Sequence, residues 1–204
     1  MNEFDQKAQT WDAKPVRVER AQAVADGIKA AIPLSAQQTA LEYGCGTGLV
    51  SFALQPYLGH ITLADSSSGM LAVLREKIAA GNIKSMTPLQ LDLMIDPLPT
   101  ERYQLIYMLL TLHHISDTDR MLRAFYQLLA APGYLCVADL DKEDGTFHED
   151  EFHGHLGFDR VELAAQAQQA GFQPISFTTV FHMIKDVNGA SKDFPIFLMV
   201  AEKS

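Results

Sequence analysis

The chain has 204 residues and a formal net charge of −9, and 48% of its residues are hydrophobic while 20% are charged. These values fit one domain with a substantial apolar core and exclude a disordered chain. The longest apolar stretch, around residues 105–112, is far too short for a membrane span and predicts a buried strand. No run of Lys or Arg occurs, which disfavours a nucleic-acid partner because phosphate binding needs a basic face.

The first residues of the sequence and its two cysteines indicate the compartment in which the protein works. The polar, acidic start of the sequence predicts no secretory or transit peptide. Cys45 and Cys136 form no CxxC or other metal-binding spacing, so we expect two small buried thiols in a reducing cytoplasm rather than a disulfide.

The first half of the chain alternates helices and strands. Apolar residues at helical spacing predict a helix over residues 16–32, which ends before Pro33. A strand over Thr39–Tyr43, a glycine turn and a helix over about residues 47–56 follow. A second strand over residues 61–64 leads to three serines (66–68) that can cap a helix closed by Gly81 and Asn82, and a third strand lies near residues 86–91.

The second half begins with the same alternation and then changes. Residues 104–110 are apolar on both faces, as expected of a central parallel strand, and residues 116–119 resemble a capping box that opens a helix. Pro132 and Gly133 turn the chain into a fifth strand over residues 134–140. A polar loop over 141–157, a helix over 158–170 and two strands over 176–185 and 194–202, joined by an Asn-Gly turn, complete the chain.

The strongest functional signal is the glycine turn after the first strand, which contains Gly44, Gly46 and Gly48. Glycines there let the backbone turn tightly and approach a ligand at the edge where open α/β sheets bind. A dinucleotide fingerprint would require a small residue at position 49, but the sequence has Leu49 there. Glu42 precedes the turn, and its carboxylate would repel a pyrophosphate but favour an ammonium or a sulfonium.

Two further acids follow the next two strands. Asp65 ends the second strand, where an acid can accept hydrogen bonds from both hydroxyls of a ribose, although a helix cap is its ordinary alternative. Asp92 follows the third strand and can accept from an adenine amino group, with Leu93 against the ring; a solvated loop carboxylate is the alternative.

The motif Glu42-x-Gly44-x-Gly46-x-Gly48, with Asp65 and Asp92-Leu93, resembles the class I S-adenosylmethionine-dependent methyltransferases, and in particular their small-molecule branch. The resemblance covers nearly the whole chain. It implies a Rossmann-like α/β fold with a seven-stranded, mostly parallel sheet of order 3-2-1-4-5-7-6, a C-terminal antiparallel hairpin and helices on both faces. It implies one domain over residues 1–204, in which residues 1–32 form an N-terminal cap region containing Phe4 and Trp11.

The same resemblance implies S-adenosylmethionine as the cofactor and a small-molecule methyl acceptor. From the charge pattern and the short apolar stretches, we expect no nucleic acid and no membrane as partner. The residues expected to contact the cofactor are Glu42, Gly44, Gly46, Asp65, Ser66, Met70, Asp92, Leu93 and Leu109. The fourth strand carries Gln104 and Met108-Leu109 where relatives often have acidic or polar residues, so the acceptor side is left undefined.

Histidines are the candidate catalytic residues. His113 and His114 follow the fourth strand, and we expect at least one of them to be structural. The predicted catalytic residues are therefore His114, His153 and His155. The last two lie in the polar loop, which we interpret as a mobile lid over the acceptor. His148, His153 and His155 stand among Glu149, Asp150 and Glu151, so a zinc site is an alternative, although we predict no metal.

Two rival functions remain at the level of sequence. One is a nicotinamide-dependent oxidoreductase, against which Leu49 and the terminal hairpin argue. The other is a protein that binds S-adenosylmethionine and transfers nothing, because a fold does not by itself determine a function.

Overall fold

A computed structural model describes residues 3–148 and 152–204 of the chain. Seven strands form one sheet of order β3-β2-β1-β4-β5-β7-β6. Strands β1 to β5 are parallel to one another, while β7 is antiparallel to both β5 and β6. The strands are β1 Thr39–Tyr43, β2 His60–Asp65, β3 Met86–Gln90, β4 Tyr103–Leu109, β5 Leu129–Leu140, β6 Ile175–Val187 and β7 Ala190–Lys203.

Six α-helices surround the sheet in the described part of the chain. They are α1 Glu3–Lys7, α2 Pro15–Ala31, α3 Leu49–Leu54, α4 Ser68–Ala80, α5 Thr118–Leu128 and α6 Arg160–Ala170. Short 3₁₀ helices cover Ala8–Ala13, Gln55–Tyr57 and Leu112–His114.

Each face of the sheet has its own hydrophobic core, as the period-two alternation of strand side chains requires. On β4, Leu105 and Tyr107 belong to the core beneath α2, α3 and α4, while Ile106 and Met108 belong to the core beneath α5 and α6. Helices therefore cover both faces, and the predicted fold class and strand order are confirmed.

The element bounds differ from the predicted ones where backbone partners, rather than side-chain pattern, decide them. The helix after the glycine turn begins at Leu49, because Gly48 is left-handed with φ of 82°. The last helix begins at Arg160 rather than at 158, because Asp159 caps it and Phe158 instead pairs with Leu140. Strand β5 begins at Leu129, which is paired with Tyr103, rather than at the predicted residue 134.

The segment after β5 is tied to the fold at both ends. The amide of Lys142 donates to the carbonyl of Phe158, and the amide of Glu143 donates to that of Leu156. Residues 149–151 lie outside the described part. The described ends of the predicted lid are thus fixed by main-chain bonds, while a lid motion stays a prediction.

Within residues 3–148 and 152–204, no helix combines the length and the apolar character needed to cross a membrane.

Candidate active site

The glycine turn lies at the carboxyl end of β1, next to the end of β2. Gly44, Gly46 and Gly48 have φ of 69°, 53° and 82°, a region that side chains rarely adopt. A Cβ on Gly44 would overlap Thr111, which follows β4, whereas a Cβ on Gly46 would meet nothing closer than 3.9 Å. The backbone at Gly46 therefore leaves room for a ligand, and the turn at Gly44 is packed against β4.

Glu42 supports this turn from below. Its side chain is 2% exposed and accepts hydrogen bonds from the amide and the hydroxyl of Ser51, the latter a very short contact. The Ser51 hydroxyl also lies 2.6 Å from the Tyr107 hydroxyl. Burial raises the pKa of Glu42 to about 8, so the carboxyl holds its proton at neutral pH. Glu42 is thus buried in the fold rather than presented at its surface.

Asp65 joins the ends of the first two strands. Its Oδ2 accepts from the amide of Gly46 at 2.7 Å, and its Oδ1 accepts from the amide of Ser67 at 2.8 Å. Burial raises its pKa, while these two backbone bonds act in the opposite direction. A carboxylate has about four acceptor positions, so two bonds leave capacity for a ligand's hydroxyls.

The turn after β3 is held by its own acids. Asp92 is half-buried and accepts from the amide of Met94 at 2.9 Å, while its amide donates to Asp96 at 2.8 Å. Leu93 is 3% exposed, and its amide donates to the Tyr43 hydroxyl at 3.1 Å. The side chain of Leu93 lies mostly within the core beneath α5 and α6.

The three remaining predicted cofactor contacts lie around the same edge. Ser66 is exposed beside Asp65, and Met70 is buried near the first turn of α4, with its sulfur 3.9 Å from where a Cβ of Gly46 would lie. Leu109 is half-buried at the end of β4.

The N-terminal segment, residues 4–12, lies over the glycine turn and α4. Asp5 accepts from the Ser67 hydroxyl at 2.6 Å and from the amide of Gly69 at 2.9 Å. Asp12 accepts from the Thr47 hydroxyl at 2.5 Å and from Nζ of Lys77 at 2.7 Å. These polar bonds hold the segment across the place where the turn is open.

The two histidines that follow β4 have different surroundings. Nδ1 of His113 lies 2.6 Å from Asp139, and the His113 amide donates to the same carboxylate at 3.2 Å. Both side chains are buried, so His113 is a structural residue. His114 is exposed, and its ring lies 5.4 Å from Phe4 and 5.2 Å from Phe152. Of the pair, His114 is the one whose side chain is accessible to solvent.

The histidines of the polar loop have different surroundings. Nε2 of His155 lies 2.9 Å from the Ile115 carbonyl, its amide donates to the His113 carbonyl, and its ring contacts Phe158. His153 is exposed. His148 stacks on Phe152 at 3.6 Å, and burial lowers its pKa, so its ring is neutral at physiological pH.

Across residues 3–148 and 152–204, no three His, Cys, Asp or Glu side chains are arranged to hold a metal ion. Glu149, Asp150 and Glu151 of the alternative zinc site lie outside the described residues.

Sequence reasoning missed the buried charges near β5. Asp139 is fully buried, and Arg20 of α2 is 8% exposed. An acid at the end of a buried parallel strand and an arginine on the apolar stripe of a helix are both visible in the sequence, but their contacts are not. Thr111, against Gly44, was also missed.

Comparison with known proteins shows which family part of the chain resembles. A family model described as a methyltransferase domain matches residues 40–133, from β1 to the start of β5. Residues 40–133 thus form a methyltransferase domain, and the sheet order is the one that the resemblance to the class I S-adenosylmethionine-dependent methyltransferases predicted.

Two curated relatives and one solved structure show the extent of the similarity. The chain is 33% identical over 149 residues to the uncharacterized methyltransferase C1347.09 of Schizosaccharomyces pombe, covering 69% of this chain and 50% of that protein. It is 28% identical over 109 residues to the ubiquinone/menaquinone biosynthesis C-methyltransferase UbiE of Vibrio vulnificus, covering 52% and 42%. A Haloferax volcanii methyltransferase, solved with the activator Trm112, superposes with a TM-score of 0.79 at 17% identity, covering 99% and 98%.

The chain thus spans about half the length, or less, of these curated relatives. The solved structure, at 17% identity, supports the fold alone.

Proposed function

We propose that this protein transfers the methyl group of S-adenosylmethionine to a small-molecule acceptor. The observation that carries the proposal is the bond from the Gly46 amide to Asp65, which joins the glycine turn to the ribose acid at one sheet edge. In a methyltransferase fold, this arrangement supports a cofactor site between the ends of β1, β2 and β3.

The described residues fit such a cofactor. We assign Asp65 to the ribose hydroxyls, Asp92 with Leu93 to the adenine, and the open backbone at Gly46 to close approach of the ligand. Glu42 holds the turn in place, because its bonds to Ser51 connect the strand before the turn to the helix after it. Gly44, Ser66, Met70 and Leu109 are assigned to the walls of the same site.

When bound, S-adenosylmethionine supplies the reactive methyl group on a sulfonium, so the protein need not generate an electrophile. The protein's part is to position the acceptor and exclude water. Correct positioning can provide effective molarities on the order of 10⁵–10⁸ M. The N-terminal segment, fixed by Asp5 and Asp12, is placed to close the site.

The acceptor side is proposed to lie beyond the end of β4. His114 is exposed beside Phe4 and Phe152 and is our first candidate for contact with the acceptor. His153 and His155 remain candidates on the following segment, although His155 already bonds to the Ile115 carbonyl. A histidine acting as a base would contribute roughly 10²–10⁴-fold where the acceptor must lose a proton.

A small acceptor is supported by charge. The net charge of −9 and the absence of a Lys/Arg run make a polyanionic substrate unfavourable.

The experiment has two stages. Calorimetry should show micromolar binding of S-adenosylmethionine or S-adenosylhomocysteine and no comparable binding of NAD. A metabolite screen for release of S-adenosylhomocysteine then tests transfer. Binding of NAD alone would favour the oxidoreductase, and cofactor binding without turnover on any acceptor would favour a non-catalytic binding protein.

A further inference from the structure

Arg20 is a buried cation without an anionic partner. It lies on α2 and is 8% exposed. Its one hydrogen bond runs from Nη1 to the sulfur of Met183 at 3.3 Å, and a thioether is a weak acceptor. Its Nε is buried with no partner at all. Among the residues that the structure describes, no carboxylate lies within ion-pair distance of this guanidinium.

The surrounding charges do not compensate it. Asp139 attracts Arg20 from a distance, but its oxygens already accept from Nδ1 and the amide of His113 and from the amide of Leu140. Arg17, one turn earlier on α2, repels it. Burial lowers the pKa of Arg20 to about 10, so the guanidinium is charged at neutral pH. An unpaired buried charge is unfavourable, and a ligand that supplies the anion would remove that cost.

Two more polar atoms without partners lie on the same side of the molecule. They are Oε1 of Glu143 and Nε2 of His148, both buried. In the described residues, every buried side-chain polar atom that lacks a partner belongs to Arg20, Glu143 or His148. Buried polar atoms are normally satisfied, so their concentration in one region points to a ligand.

A series of ring contacts connects this region to the glycine turn. We use the name acceptor ring for an open row of six side-chain rings, which in order are Trp11, Phe4, His114, His148, Phe147 and Phe194. The centroids of successive rings in this row are 6.0, 5.4, 5.9, 5.1 and 5.3 Å apart. At its first end, Trp11 approaches Gly46 and lies beneath Arg17. At its last end, Phe194 pairs with Met183, the residue that Arg20 contacts. The acceptor ring thus runs from the cofactor turn to the buried guanidinium.

The residue that Arg20 contacts lies on a strand away from those that carry the proposed cofactor residues. Met183 is on β6, four strands from β1 in the sheet order. Neighbouring strands lie about 4.8 Å apart, so these two strands are separated by roughly 19 Å. The residues assigned to the cofactor lie at β1, β2, β3 and the end of β4, on the opposite half of the edge.

We propose that Arg20 binds a carboxylate or phosphate group of the methyl acceptor, whose apolar body lies against the acceptor ring. This inference rests on the proposed function and adds a substrate class to it: small acids with an apolar body.

The test uses the full chain with saturating S-adenosylhomocysteine and two anionic probes, benzoate and inorganic phosphate, at constant ionic strength. Benzamide is the neutral counterpart of benzoate. We expect at least one anion to raise the thermal midpoint of the wild type, and benzamide to leave it unchanged. In Arg20→Met, the anion should no longer raise the thermal midpoint. Without the anion, the midpoint of this variant should equal or exceed that of the wild type, and its affinity for S-adenosylhomocysteine should stay within twofold of the wild-type value. Arg123→Met, on the exposed face of α5, is the matched control and should keep the anion's effect.

Three results would overturn the inference while leaving the proposed function intact. They are a wild type that binds S-adenosylhomocysteine but responds to neither anion, an anion effect that persists in Arg20→Met, and a loss of cofactor affinity in Arg20→Met of tenfold or more. The last result would assign Arg20 to the cofactor's own carboxylate. If Arg20→Met does not fold, the wild type alone decides. Benzoate must then raise its thermal midpoint where benzamide does not, or phosphate must raise it where chloride at the same ionic strength does not. A wild type that does not bind S-adenosylhomocysteine overturns the proposed function itself.

Discussion

At the ends of β1 and β2, Asp65 accepts from two backbone amides and Glu42 from the amide and hydroxyl of Ser51. Toward the ends of β5, β7 and β6, by contrast, Arg20 and His148 each retain a buried nitrogen without a partner. The proposed cofactor half of the edge is satisfied by the protein's own backbone, and the proposed acceptor half is not.

This difference indicates two ways of preparing a site. The cofactor half is built before a ligand arrives, because its acids are already oriented by the turn that they support. The acceptor half holds polar groups whose burial is unfavourable until something binds. Asp139 stands between them, with its carboxylate satisfied by His113 and Leu140.

The largest expected effect comes from removing the carboxylate of Asp139. Asp139→Ala leaves Nδ1 and the amide of His113 and the amide of Leu140 without an acceptor in the core. We expect the free energy of unfolding to fall by about 3–5 kcal/mol, measured by chemical denaturation. Asp193→Ala, which removes the exposed partner of His182, is the control and should cost at most about 1 kcal/mol. A loss at Asp139 no larger than at Asp193 would show that the buried pair is dispensable.

The second effect concerns Glu42 and pH. Its folded pKa of about 8 is raised above the ordinary value of 4.5, so between these values the folded state holds a proton that the unfolded state has released. Stability is therefore expected to fall as pH rises from about 5 to 8, on the order of 3 kcal/mol by pH 7.

Glu42→Gln keeps the shape of the side chain and removes this titration. Its stability should be flatter than that of the wild type over the same pH range, measured by denaturation at several pH values. Parallel pH profiles for the two proteins would mean that Glu42 is ionised in the fold.

Features that depend on residues close together in the sequence could be predicted, whereas contacts between residues far apart in the sequence could not. The glycine turn was predictable because its geometry depends on local residues: Gly44, Gly46 and Gly48 all have positive φ. The sheet order came from the resemblance, which those residues carry. The contact of Arg20 with Met183 spans 163 positions, and no local pattern indicates it.

The polar loop shows a second limit. Its composition predicted a lid, but main-chain bonds hold its described ends, and backbone bonds leave no trace in side-chain pattern. The interpretation of Glu42 was limited in the same way, because its depth beneath the turn depends on packing of Ser51 and Tyr107 against it.

The third prediction tests the cofactor half directly. Asp65→Ala should weaken binding of S-adenosylhomocysteine by about 1.5–3 kcal/mol, roughly tenfold or more in the dissociation constant, because hydrogen bonds to a charged group are lost. The protein should remain folded, and the response to benzoate or phosphate should persist at a concentration of S-adenosylhomocysteine that saturates the variant. Calorimetry measures the first effect. An unchanged dissociation constant would move the ribose away from Asp65.

The smallest effect on binding is expected from the histidines of the segment after β5. Replacing His153 and His155 together by alanine should leave the affinity for S-adenosylhomocysteine within twofold, because neither contacts the glycine turn, and should lower methyl transfer once an acceptor is known.

The single variants separate two roles. His155→Ala loses the bond to the Ile115 carbonyl and should cost about 1 kcal/mol of stability, whereas His153→Ala, at an exposed position, should not. His182→Ala is the matched control on an exposed strand and should change neither transfer nor affinity. Loss of a stoichiometric zinc ion in the double variant would support the metal site instead, and full activity would remove both histidines from the acceptor side and leave His114 as the candidate there.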